Sequence, residues 1–318
     1  MIISVTLNAA IDRTVAVPNF RQGHRHRSVE SRTAPGGKGI NVARALGLLG
    51  RPVIATGLAG GANGQRVIEQ LGEESILTDF IRISEETRIN FAVIDPTSGE
   101  QTEINERGPT VRADELDSFI RRLDYLAGGA KLCVLAGSLP PGVDVGFYAR
   151  LVTTLRSRGI SVLLDAEGDA MSAGMRAGPH MITPNQLEAE ELVGHEFEAG
   201  DELFEVLSEL VDLGPAEAAI TLPQGCVAVV GEGPEQRMLE VTIDPLEPIS
   251  TVGSGDAFVA GYVAALYDGW SPERCLSYGV ACGAESTQHL GAGRVDRGRV
   301  ESLLDSVHVR QVETPAGV

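Results

Sequence analysis

An α/β fold is predicted, a mostly parallel sheet with helices on both faces, because strand-like and helix-like segments alternate along most of the chain. The alternation breaks between residues 80 and 105. Strand-like runs follow one another there, and Pro96, Thr97, Ser98 and Gly99 make a hairpin turn between the last two. A small antiparallel sheet outside the main one is expected from that stretch. Late in the chain a glycine loop, residues 251–256, runs straight into an apolar helix. In open α/β sheets ligands bind beyond the carboxyl ends of the strands, so a glycine loop of this kind marks the expected chemical edge.

Residues 2–7 read as the first strand. Residues 11–33 are mixed and unusually basic, with Arg21, Arg25, Arg27 and Arg32 close together. A helix begins near Gly39, places Val42, Ala45, Leu46 and Leu49 on one face and stops at Gly50. Residues 52–58 form a strand, and Gly61 to Gly64 turn into a helix that ends at Gly72. Runs 80–83, 88–95 and 101–105 supply the small sheet. The alternation then resumes with helix 114–126, strand 132–136, helix 145–158 and strand 160–165. Strand 181–182 meets helix 186–193, and helix 201–212 meets strand 218–222. Strands near 226–230 and 237–243 precede the glycine loop, and helices 257–268 and 273–289 close the core. The chain from about Gln311 reads as a frayed tail. The expected organisation is one domain over residues 1–310 and a tail over 311–318.

The length of 318 residues is enough for a large core. Lys plus Arg is 26 against 44 Asp plus Glu, a net charge of -18, which argues against nucleic acid or an anionic membrane as the main partner. Cys133, Cys226, Cys275 and Cys282 sit among apolar residues without metal-ligand spacing and read as reduced, buried thiols. The first residues lack a basic region and a long apolar stretch, so they read as a strand rather than a signal peptide. No apolar run is long enough to span a bilayer. A cytoplasmic location is expected.

A helix that begins at the glycine loop points unpaired N–H groups forward and suits an anion. Gly253 and Gly255 let the backbone approach closely. Asp256, in the first turn, fits two readings: a carboxylate that favours the helix dipole, or a base beside an anion hole. Other polar groups fall at strand ends and helix starts. Asn8 and Asp12 follow the first strand, and Gly36, Gly37, Lys38 and Gly39 precede the helix that carries Asn41. Ser138 follows strand 132–136, Asp165 ends the next, and Asn185 and Glu188 open helix 186–193. Singly, each also fits a turn or a cap; Asn185 and Glu188 have the spacing of a capping box. Together they set glycines, amides and carboxylates along one sheet edge. An anion hole, a carboxylate in its first turn and an Asn/Glu pair suited to hydrated magnesium are the parts for phosphoryl transfer. Neither the P-loop pattern nor the protein-kinase motif set is present. The basic segment 21–32 fits a solvated edge or the grip on a phosphorylated substrate, with Arg25, Arg27, Arg88 and Lys38 as the cations.

The motifs resemble those of the ribokinase-like (PfkB) family of sugar kinases, in its hexose-phosphate branch. Residues 6–12 look like the family's opening motif, with Ala9 where proline is usual. Residues 36–43 match the first signature and residues 252–256 the second. Residues 87–90, 137–142 and 184–188 follow the family pattern in order between them, so the resemblance covers nearly the whole chain. It implies a ribokinase-like three-layer α/β/α sandwich with a small β-sheet lid, formed by about 12–33 and 86–105. It also implies ATP and Mg2+ as cofactors.

By the same resemblance Asp256 is the base, and Gly253, Ser254 and Gly255 line the anion hole. Asp12, Gly37, Lys38, Asn41 and Ser138 would bind the sugar, and Arg88 would bind its phosphate. Arg25 and Arg27 would reach that phosphate from a partner's lid, which implies a homodimer through the lid. Asn185 and Glu188 would organise the metal through water, and Thr221 and Gly225 would flank the nucleotide. This sequence departs from the family at Thr183, where lysine is usual, and at residues 221–225, where the nucleotide turn is one residue short. Lys38 and the strand through Thr102 to Asn105 favour fructose 1-phosphate as the acceptor, with fructose 6-phosphate and tagatose 6-phosphate as alternatives. The departures also leave open a sugar-phosphate-binding sensor with weak catalysis.

Overall fold

The computed structural model describes residues 1–198, 200, 202–231 and 233–312. The first half of the chain contains β1 (Ile2–Thr6), β2 (Ala10–Ala16), β3 (Glu30–Gly36), α1 (Lys38–Leu48), β4 (Val53–Gly60), α2 (Gly61–Glu73), β5 (Leu77–Ile83), β6 (Arg88–Ile94), β7 (Gln101–Ile104), α3 (Ala113–Ala127), β8 (Leu132–Ala136) and α4 (Phe147–Arg156). The second half contains β9 (Ser161–Asp165), α5 (Gly168–Met175), β10 (Met181–Ile182), α6 (Gln186–Val193), α7 (Glu202–Asp212), β11 (Glu217–Leu222), β12 (Gly225–Val230), β13 (Arg237–Ile243), α8 (Ser254–Tyr267), α9 (Pro272–Ser286), α10 (Arg297–Leu303) and β14 (Val307–Val312).

The large sheet runs β14-β13-β12-β11-β10-β9-β8-β1-β4-β5. It is parallel from β11 to β5 and antiparallel from β11 to β14. Its central strands are buried on both faces, which is why β8 reads as a continuous apolar run and why even Ser4 and Thr6 of β1 are buried. Alternate side chains feed two cores. Ile2 and Val134 pack with α1, α8 and α9, while Ile3 and Leu135 pack with α3, α4 and α7. That division makes the three-layer sandwich. The four cysteines are buried and free, as expected. Among the described residues no helix is long and apolar enough to cross a membrane.

The small sheet runs β3-β2-β6-β7. It is mixed rather than purely antiparallel, because β2 and β6, which are far apart in the chain, lie parallel. Residues 80–83 are not in it; β5 pairs with β4 and forms the edge of the main sheet. A short apolar run carries no mark of which sheet receives it, so this assignment needed the long-range contact. Helices α5 and α10 and strand β14 also went unpredicted. Gln311 and Val312 end β14 and pair with β13 rather than fraying; residues 313–318 lie outside the described residues.

Candidate active site

Helices α1 and α8 start at the same edge of the main sheet, and that convergence builds the site. Helix α8 begins at Ser254, three residues earlier than the apolar spacing implied, so Asp256 sits in its first turn. The first amides of a helix have no acceptor within it. Gly253 caps α8 at φ 79°, in the left-handed region. A Cβ on Gly253 would lie 2.5 Å from the Ala292 Cβ, so packing and backbone both demand glycine there. Helix α8 is buried from Asp256 to Ala265, and this draws Asp256 into the protein at 6 % exposure.

Burial pushes the Asp256 carboxyl up to about 7, helped by the nearby charge of Asp165 and opposed by the Asn41 hydrogen bond and Lys38. The Asn41 Nδ2 donates to Asp256 Oδ2 at 2.8 Å. Lys38 opens α1, next to its capping residue Gly37. Its Nζ lies 3.1 Å from Asp165, 3.4 Å from Glu167 and 3.7 Å from Glu188. Burial works to lower the Lys38 pKa, but these carboxylates outweigh it and hold the ammonium charged. Glu188 is shifted upward by burial, with Lys38 opposing.

On the small-sheet side Asp12 is half-buried, and its Oδ1 accepts from Asn90 Nδ2 at 2.9 Å. Burial raises the Asp12 pKa, and the Asn90 bond with Arg88 and Arg44 pulls it back. Asn8 Nδ2 donates to Ser138 Oγ at 3.1 Å and to the Arg107 carbonyl at 3.0 Å. Arg88 donates to the carbonyls of Glu106 and Asn8 at 2.7 and 3.1 Å, and its buried Nε has no partner. Beside it opens a cleft of about 550 Å³ whose lining includes Asn63, Arg88 and Arg107. The cleft's carboxylates already accept from backbone amides: Glu85 from Thr110, Glu86 from Ala62 and Asn63, and Glu106 from Ile89. Anionic charge in the cleft is thereby held by amides, and Arg88 and Arg107 are the cationic residues that line it.

Family-model comparison matches the pfkB family of carbohydrate kinases over residues 3–297. The chain belongs to that family. Phosphofructokinase-2 of Escherichia coli, solved in complex with fructose-6-phosphate, is 29% identical over 96% of this chain and 98% of its own, with a TM-score of 0.86. A Thermotoga maritima protein described as a possible 1-phosphofructokinase is 27% identical over 98% of this chain and all, 100%, of its own, with a TM-score of 0.88. Ribokinase of Arabidopsis thaliana, at 21% identity and a TM-score of 0.76, shares the fold.

Within this pfkB-family kinase Asp12, Lys38 and Asn41 lie around Asp256, Arg88 interacts with Asp12, and Ser138 is tied to Arg88 through Asn8. Arg25 and Arg27 do not join them within one chain. They are exposed in the link between β2 and β3, at the strand ends remote from Asp12, roughly 14 Å of strand away. Asn185 and Glu188 form a full capping box at the start of α6. Thr221 donates its amide to the Pro184 carbonyl and bridges to Asn185. Gly225 has a reason unrelated to a ligand: a Cβ there would lie 1.9 Å from the Val241 carbonyl of β13. The short 221–225 turn is a tight hairpin in which Leu222 pairs with Gly225.

The residues that would hold a hydrated magnesium ion are engaged within the protein: Lys38 pairs with Asp165 and Glu188, and Glu188 Oε2 accepts from the Asn185 amide. Asp165 and Glu188 offer hard oxygens, while the Asn185 Oδ1 already accepts from the Glu188 amide and suits contact through water. Among the described residues no group of three or more His, Cys, Asp or Glu is arranged to hold a metal ion. Sequence reasoning gave no role to Arg44, Asn90, Arg107 or Glu167. Asn90 sat within a matched motif, whereas Arg107 looks like any surface arginine until the cleft is seen.

Proposed function

We propose that this carbohydrate kinase transfers the γ-phosphoryl group of ATP to a hydroxyl of a hexose monophosphate, with fructose 1-phosphate the first candidate. The observation that carries the reading is the buried Asp256 in the first turn of α8, held at 2.8 Å by Asn41 from α1. Asp256 takes the proton of the acceptor hydroxyl as the oxygen attacks phosphorus. The amides of Gly253, Ser254 and Gly255 receive the charge on the moving phosphoryl group. Asp12, Asn41 and Gly37 orient the sugar, while Lys38 with Ser138 bounds it. Bound magnesium would neutralise phosphate charge, with Glu188 and, through water, Asn185 holding it; Thr221 and Gly225 lie on the nucleotide side.

The phosphate of the acceptor is placed in the Arg88 cleft, where Arg107 adds a second cation. The small sheet acts as a lid that excludes water from the transfer, and two chains pair through it. The choice of fructose 1-phosphate rests on Lys38 and the strand through Thr102 to Asn105; the fructose-6-phosphate complex of the Escherichia coli neighbour supports the 6-phosphate alternative. A coupled ADP-release assay over fructose 1-phosphate, fructose 6-phosphate, tagatose 6-phosphate and free sugars tests the proposal. Turnover confined to phosphorylated sugars, highest with fructose 1-phosphate, is expected. Turnover only with free sugars would discard the Arg88 subsite, and sugar-phosphate binding without ATP binding or turnover would make the protein a sensor.

A further inference from the structure

Arg44 lies on α1 three residues beyond Asn41, one helical turn along the same face. It is 5 % exposed, rare for an arginine, and its guanidinium makes four hydrogen bonds. Nε donates to Glu74 Oε2 at 2.6 Å. Nη1 donates to Asn41 Oδ1 at 3.2 Å and to the Ala292 carbonyl at 3.1 Å. Nη2 donates to the Pro35 carbonyl at 3.1 Å. Pro35 is at the end of β3, where the small sheet meets the first glycine signature. Ala292 packs on Gly253, the cap of α8. One side chain therefore fastens three segments that surround Asp256.

The bond to Asn41 carries a further consequence. A carboxamide has an acceptor end and a donor end, and a guanidinium can only donate. Arg44 thus demands Oδ1 on its own side. Nδ2 is then left facing Asp256, at 2.8 Å from Oδ2. Released from Arg44, the amide could turn over and set its oxygen against the carboxylate. We propose that Arg44 is a positioning residue for phosphoryl transfer, locking the Asn41 carboxamide so that its N–H group holds Asp256 in the orientation that accepts the hydroxyl proton. This rests on Asp256 being the base. The other charged groups that face Asp256 are Lys38 from α1, Asp165 from β9 and Asp12 from β2, and the test alters none of them.

The experiment compares Arg44→Met and Arg44→Lys, each with Asn41 intact and with Asn41→Ala, using ATP and the sugar phosphate that the wild type turns over. In the intact background Arg44→Met should lower kcat roughly 10- to 100-fold while KM for either substrate moves less than about threefold. Its kcat/KM profile should have its acid limb at higher pH, because the ionised carboxylate has lost a donor. Arg44→Lys should recover part of the loss. With Asn41→Ala already in place, either Arg44 change should lower kcat by less than about threefold. Additive losses in the double variants, or a normal kcat and acid limb in Arg44→Met, would overturn the proposal and leave Arg44 a tie between segments. Should Arg44→Met not fold, Arg44→Lys across the two Asn41 backgrounds makes the same comparison. An Asp256→Asn enzyme of near-normal rate would instead remove the base itself, a separate and recognisable failure.

Discussion

A carboxylate at the buried start of α8 is harder to ionise than one in water, and two measurements expose this. In the enzyme the acid limb of kcat/KM should fall near pH 7, where Asp256 loses its proton. Asp256→Asn should lower kcat roughly 10²- to 10⁴-fold, measured by ADP release; a near-normal rate would return Asp256 to a capping role. In the fold, a carboxyl raised from about 3.9 to about 7 binds more protons folded than unfolded between those values, so stability declines as pH rises through that window. Asp256→Asn removes the buried charge. Its thermal midpoint should exceed that of the wild type at pH 8, and the gap should shrink toward pH 4. An unchanged gap would show that burial does not oppose the charge. Arg88→Ala should weaken sugar-phosphate binding far more than ATP binding by calorimetry, since Arg88 lines the 550 Å³ cleft beside the small sheet. At this scale Asp256, Asn41 and Arg88 were readable because their motifs set them beside glycines and strand ends. Arg44 was not, since a helical face read for its apolar residues cannot tell a buried cation from a solvated one.

At the scale of elements, the start of α8 depends on Gly253 twice over. Gly253→Ala would force a left-handed non-glycine residue, costing about 1–2 kcal/mol, and would press a methyl group on Ala292. A lower denaturation midpoint is expected and, on the proposed mechanism, a fall in kcat larger than any change in KM, because the first amides of α8 shift with the cap. A variant with wild-type kcat would mean that the amides near Gly253 do not meet the phosphoryl group. The elements that carry the site were legible for a physical reason: parallel strands buried on both faces and helices of ten or so residues leave unmistakable apolar patterns. What escaped was short or peripheral. Helix α10 spans seven residues, and β14 is an edge strand with most of its side chains exposed. β5 was seen as a strand but sent to the wrong sheet, because its pairing with β4 is a property of two distant segments.

For the molecule as a whole, the basic link between β2 and β3 runs against a chain net charge of -18. Arg25 and Arg27 lie too far along the strands to reach their own Asp12. If two chains pair through the small sheets, these arginines face the partner's site, and each site needs both chains. Light scattering should then give twice the mass of one chain. A sharper test mixes two inactive variants. Asp256→Asn keeps the arginines and lacks the base; the double variant Arg25→Ala with Arg27→Ala keeps the base and lacks the arginines. After the chains exchange, a mixed dimer has one site with an intact base and intact partner arginines. Random pairing of equal amounts makes half of the dimers mixed, so activity should return to about one quarter of the wild-type level. No recovery after proven exchange would place the arginines outside the partner's site, and the positive charge of this link would then act only on the solvent side of the lid.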